Sequence, residues 1–130
     1  MARIEYHKLV RDRIPEIIRA AGGDCRTRVL ADAEYVAALL AKAQEEIAEL
    51  AAAPAGERIV EFGDVHEVLD ALLAAWGIDR AAVAEIQTRR RAERGGFRER
   101  VLLEWADDRD ARGTAAGSDV GTPGETRREP

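Results

Sequence analysis

Apolar positions recur at helical spacing through most of the first hundred residues. From Asp32, a residue type suited to cap a helix, Val36, Leu39, Leu40, Ala43, Ile47 and Leu50 repeat every three or four residues until Pro54 and Gly56 break the chain. The spacing predicts a long helix there. Residues 57–76 repeat the pattern with Phe62, Val65, Leu69, Leu72, Leu73 and Trp76, and Gly77 stands where a left-handed residue closes a helix. Asp79 then opens a third long helix carrying Ala82, Val83 and Ile86, with an Arg-rich last turn before Gly95-Gly96. A short helix over 14–21 is predicted by Pro15 in its first turn, by Ile14, Ile17 and Ile18, and by Gly22-Gly23 at its end. Residues 3–10 carry a pattern too brief to separate a strand from an irregular lead-in. Residues 25–30 (CRTRVL) alternate as a strand would, and 101–105 (VLLEW) offer them a partner in a two-stranded flap.

Length and composition add boundaries. A chain of 130 residues holds one ordinary domain. Of the 34 Ile, Leu, Val, Met and aromatic residues, 33 precede residue 107, so the domain is placed at 1–106. Residues 107–130, rich in Gly, Asp, Arg and Thr, are expected to be a disordered tail. The fold class expected is all-α, an antiparallel helical bundle with a minor two-stranded β flap. Its broad apolar stripes are poorly covered by one short chain, which predicts a homodimer whose paired hairpins complete a four-helix core. The net charge of −5 argues against a nucleic-acid polymer or an anionic membrane as partner. The single Cys25 excludes an intrachain disulfide and a Cys-rich zinc site and reads as a small apolar filler. The start of the chain shows no secretory leader, so a cytoplasmic location is expected, and no run approaches the roughly 20 apolar residues of a membrane span.

The acidic residues change the picture most. On the first long helix Glu46 and Glu49 are three apart, and on the second Glu61 and Asp64 are three apart. Three apart is one helical face, and each pair lies beside its helix's apolar stripe on the same side. An antiparallel hairpin brings the pairs together. Four converging carboxylates repel one another, and a hard divalent cation with oxygen ligands, Mg2+ above all, relieves them. The plain counterpart is a solvated acidic face, since Glu-x-x-Glu spacings are common in a chain with 25 acidic residues. A di-iron site would want Glu-x-x-His pairs, and no histidine stands three after a glutamate. His66 falls on another face, and Glu45 and Glu67 turn away from the cluster. Glu57 faces the same way as Glu61, although a place at a helix start explains it equally well.

Basic residues fall in two groups, Lys8, Arg11 and Arg13 near the N-terminus and Arg89 to Arg100 after the third long helix. Lys42 stands apart, one turn before Glu46, as a plain helix ion pair or a cation at the mouth of the site. Cations bordering a carboxylate-metal cluster suit a polyphosphate, because metal bridges some oxygens and Arg or Lys neutralises the rest. Phosphate-binding loops, dinucleotide fingerprints and zinc-protease pairs are missing from the sequence. No histidine, cysteine or serine is placed as a nucleophile. The competing function is non-catalytic, a helical interaction module with a solvated acidic face.

In order along the chain, YHKLVRDRIPEII (6–18), TRVL (27–30), QEEIAEL (44–50), EFGDVHEVLDAL (61–72) and RGGFRERVLLE (94–104) resemble the phosphoribosyl-ATP pyrophosphohydrolase-like branch of the MazG superfamily, the all-α nucleoside triphosphate pyrophosphatases. The resemblance implies a Mg2+ site, with Mn2+ as a substitute, on Glu46, Glu49, Glu61 and Asp64, the set already reached from spacing. It implies hydrolysis between the α and β phosphates of a nucleotide, giving a monophosphate and pyrophosphate in nucleotide house-cleaning. Glu45 matches the first acid of the EE pair. The expected roles are then proton acceptance from water by Glu45 or Glu46, and phosphate contact by Lys42 and some of Lys8, Arg11, Arg13, Arg94 and Arg98.

Overall fold

The structure, a computed structural model, describes residues 2–107. Four α-helices, one 3-10 turn and no strand occur among these described residues, so the class is all-α. Apart from Asp107, the tail expected to be disordered lies outside them. The chain divides into two compact units, Met1–Arg80 and Ala81–Pro130. The domain expected over 1–106 takes in the first unit and residues 81–106 of the second.

In the first unit, α1 (Ile14–Ala20) begins with Pro15 in its first turn, where a missing N–H goes unmissed. It ends in a Schellman turn: the Gly22 N–H donates to the Arg19 carbonyl and the Gly23 N–H to the Ile18 carbonyl, each at 3.0 Å. Gly22 has φ +92°, a conformation that side chains with a Cβ rarely adopt. The long helix α2 (Asp32–Ala52) starts one residue earlier than a cap at Asp32 would have it. Ala31 is the extended cap residue, and the Glu34 carboxylate, held by Arg28, accepts its N–H at 3.4 Å. After the 3-10 turn Ala55–Glu57, α3 (Arg58–Trp76) closes on Gly77 at φ +66° in a second Schellman turn, with the Ile78 N–H on the Leu73 carbonyl at 2.9 Å.

The short connection folds α3 back on α2, and the two helices pack along their length. Leu39 from α2 meets Val68 and Leu72 from α3, with Leu9, Tyr35, Ala43 and Ala71 against them, and Val65 is buried as well. Burying each such side chain contributes about 1.5–3 kcal/mol. Several positions predicted for the core lie outside it: Leu40, Ile47, Phe62, Leu69 and Trp76 are 42% to 52% exposed. On α3, apolar residues at 59, 60, 62, 65, 68, 69, 72, 73 and 76 surround much of the helix, so periodicity alone does not choose a face. Packing against α2 chooses Val65, Val68 and Leu72.

The two-stranded flap expected from residues 26–30 and 101–105 does not form; both segments lack strand structure. Val29 is 97% exposed, and Val101, Leu102 and Trp105 are also largely exposed. A two-stranded ribbon without a third strand or a covering helix is marginal in water, which explains its absence.

The helix α4 (Arg80–Arg94), in the second unit apart from its first residue, buries no residue, and Arg91 and Arg94 complement the dipole of its last turn. Gly95, at φ +85°, donates its N–H to the Arg91 carbonyl at 2.8 Å. No helix among the described residues is long and apolar enough to cross a membrane.

Candidate metal centre

The hairpin places its acids and its apolar core on one continuous inner surface. Leu39 and Ala43 are followed on α2 by Glu46, and Val65 and Val68 are preceded on α3 by Glu61 and Asp64, each at three- or four-residue steps. The carboxylates therefore gather at the loop end of the hairpin, next to the core. Glu46, Glu61 and Asp64 each offer an oxygen within 4.8 Å of the others. Glu46 is only 6% exposed, an unusual place for a carboxylate. One oxygen of Glu46 and one of Glu61 are buried with no hydrogen-bond partner. Orphaned buried oxygens cost free energy unless something supplies a positive partner.

Glu49, the fourth expected ligand, is exposed and falls outside the group of three. It stays near enough for its charge to act on Glu61. The Glu61 carboxyl is raised above the usual carboxylate range, first by burial and then by the charges of Glu49, Asp64, Glu46 and Glu57. Three hard carboxylates with two unpartnered oxygens fit a divalent cation that prefers oxygen ligands.

Three basic residues border the cluster. Lys42 reaches Glu45 at 3.2 Å and Glu46 at 3.5 Å. Lys8 donates to Glu45 at 2.7 Å, and Arg11 donates from Nη2 to Asp64 Oδ1 at 2.7 Å. The Glu45 carboxyl is accordingly held below the usual range, chiefly by its hydrogen bonds from Lys8 and Lys42, and the same Glu45 contact raises the Lys8 ammonium. Glu45 does not turn away to solvent as the helical wheel suggested; it lies between two ammonium groups. The three-residue offset from Lys42 was a signal for half of this arrangement, but no spacing rule reaches from Lys8 to Glu45.

Arg13, the cap residue of α1, pairs with Glu16 at 3.1 Å, and both are largely exposed. Arg94 and Arg98 belong to the second unit. His66 is exposed, with its ring 6.5 Å from that of Phe62, in keeping with its place off the acidic face.

No family model matches the chain, and no solved structure matches it. An uncharacterized protein of Mycolicibacterium smegmatis (strain ATCC 700084 / mc(2)155) is 55% identical over 56 residues. Those residues are 43% of this chain and 57% of the relative, so the chain spans little more than half of that protein's length.

Proposed function

We propose that the protein is a Mg2+-dependent nucleotide pyrophosphohydrolase of the MazG-like kind, cleaving the α–β phosphoanhydride to give a monophosphate and pyrophosphate. The observation that carries this reading is Glu46: a carboxylate 6% exposed, with one oxygen unpartnered, grouped with Glu61 and Asp64. Solvated acids on a helix face need no burial. Glu46, Glu61 and Asp64 would hold the cation, and Mn2+ would substitute for Mg2+. When bound, such a cation polarises phosphate oxygens and lowers the pKa of water, which is the chemistry an anhydride hydrolysis needs at neutral pH.

The chain's own groups supply the rest. Glu49 stands outside the ligand group yet acts on Glu61 by its charge, which makes it the carboxylate left over to take a proton from water. Glu45 is a weaker base, because two ammonium groups hold it ionised. Lys42 and Lys8 line the rim as cations for phosphate oxygens. Among the described residues no side chain is placed for covalent catalysis, so water attacks directly. A nucleoside triphosphate incubated in labelled water should give monophosphate and intact pyrophosphate; orthophosphate with a diphosphate left behind would overturn the reading.

The exposed Leu40, Ile47, Phe62, Leu69 and Trp76 support a homodimer in which two hairpins complete a four-helix bundle. Light scattering should give about twice the chain mass of 14.2 kDa, and a monomer at micromolar concentration would refute the pairing. The same apolar surface favours the competing reading, a non-catalytic helical interaction module. A Mn2+ titration separates the two, since only the enzyme requires a cation site that is lost in Glu46→Gln. A cytoplasmic location accords with a nucleotide substrate.

A further inference from the structure

Residues 8–11 cross the acidic end of the hairpin, and both of their charges are spent there. Lys8 ties the segment to Glu45 on α2 and Arg11 ties it to Asp64 on α3, while Leu9 between them packs against the Leu39, Val68 and Leu72 cluster. The backbone is thus anchored on the core, with two long basic side chains reaching to opposite helices. Asp64 is at once a partner of Arg11 and a member of the group that fits a cation. Both uses cannot be equally good together, because a guanidinium beside a divalent ion is repelled by it.

We propose that this segment is a displaceable counter-ion strap: a divalent cation entering between Glu46, Glu61 and Asp64 releases Arg11 from Asp64, and Arg11 then receives a phosphate oxygen of the incoming substrate. The inference rests on the metal-dependent reading above and adds an order of events to it. Charge balance supports it. The carboxylates Glu45, Glu46, Glu49, Glu57, Glu61 and Asp64 lie in one field with Lys8, Arg11 and Lys42, six negative against three positive, and each of the three cations is held by a carboxylate. In that state no cation is left over for an anion, and six carboxylates repel it. One divalent ion removes most of the excess and frees the cation whose partner it takes. Arg11, whose partner belongs to the cation group, is more easily freed than Lys42. Its side chain is 57% exposed and that of Asp64 33%, so water shares the pair, whereas Lys42 is 19% exposed and bonded to two glutamates. A guanidinium also matches phosphate in a two-point fork, which an ammonium cannot do. The metal-free protein is therefore closed to polyphosphate, and the metal-loaded protein is open to it.

The test uses the full chain and two probes, the metal ion alone and inorganic pyrophosphate. The Nε–H signal of Arg11 should be distinct in the metal-free protein and should move toward that of a free arginine as Mg2+ is added, then shift again with pyrophosphate. In Arg11→Gln, Mn2+ should bind with unchanged or up to about fivefold higher affinity, because an exposed ion pair no longer competes. Pyrophosphate should bind the Mn2+-loaded variant roughly tenfold or more weakly than it binds loaded wild type, the loss expected for a hydrogen bond to a charged group. Arg11→Lys should recover only part of that loss. An Arg11 signal that Mg2+ leaves unmoved, weaker Mn2+ binding in Arg11→Gln, or pyrophosphate affinity equal to wild type would each overturn the strap while leaving the metal site standing. Failure of wild type to bind Mn2+ at all would overturn both.

Discussion

Replacing Glu46 with glutamine should make the protein more stable without metal and less stable with it. The side chain is 6% exposed, shares a space of 4.8 Å with Glu61 and Asp64, and leaves one oxygen without a partner. Glutamine has the same shape and no charge, and its amide can donate to the neighbouring carboxylates, a hydrogen bond contributing about 1 kcal/mol. The lost attraction to Lys42 at 3.5 Å is limited, since Lys42 keeps Glu45 at 3.2 Å. The metal-free variant should therefore gain about 1 kcal/mol, or about 4–8 °C in melting temperature for a domain of this size. With Mn2+ at 100 times the wild-type Kd, wild type gains about 2.7 kcal/mol. If the loss of one carboxylate weakens the site about 100-fold, the upper end of what even outer partners of a metal site cost, the variant gains about 0.4 kcal/mol at the same concentration. The order of stability then inverts by about 1 kcal/mol. Thermal melts by circular dichroism in EDTA and in Mn2+ read both halves. A variant less stable in EDTA, or the same difference in both buffers, would refute the argument that Glu46 is a strained ligand awaiting a cation.

Three further outcomes follow from the same geometry. Because Glu61 is raised by burial and by its acidic neighbours, the folded metal-free protein holds, between the usual carboxylate range and that raised value, a proton that the unfolded chain has released. Its stability should fall as pH rises from the usual carboxylate range through the raised value of Glu61, and Glu61→Gln should flatten that slope; parallel melting curves against pH for the two proteins would count against it. Mn2+ affinity should rise over the same window, since the cation displaces that proton, and a pH-independent Kd from calorimetry would contradict this. Leu39→Ala should cost about 2–4 kcal/mol in urea denaturation, because Leu39, 3% exposed, is the α2 residue of the buried core cluster; a loss under 1 kcal/mol would mean that the hairpin core collapses to fill the space.

Much of the local structure was legible in the chain. Pro15, Gly22, Gly77 and Gly95 mark helix ends through fixed φ, a missing N–H or a left-handed turn, all properties of a residue and its neighbours, so α1 to α4 appear close to their expected places. Spacing also brought Glu46 together with Glu61 and Asp64, since each acid lies on the same helical face as the core residues that hold the hairpin shut. Tertiary structure decided the rest. Which of the apolar positions around α3 are buried depended on α2, so Val68 went inside and Phe62, Leu69 and Trp76 did not. The alternating residues 25–30 had strand character yet form no strand, since a two-stranded ribbon is marginal in water and alternation alone does not stabilise one. Glu49 fell outside the ligand group although its spacing equals that of Glu61 and Asp64. Helical periodicity fixes a side chain's direction to within a face and leaves undecided the last few ångströms, which govern coordination. Lys8 with Glu45 and Arg11 with Asp64 join residues 37 and 53 positions apart, and only the folded path of residues 8–11 over the hairpin makes those charges neighbours.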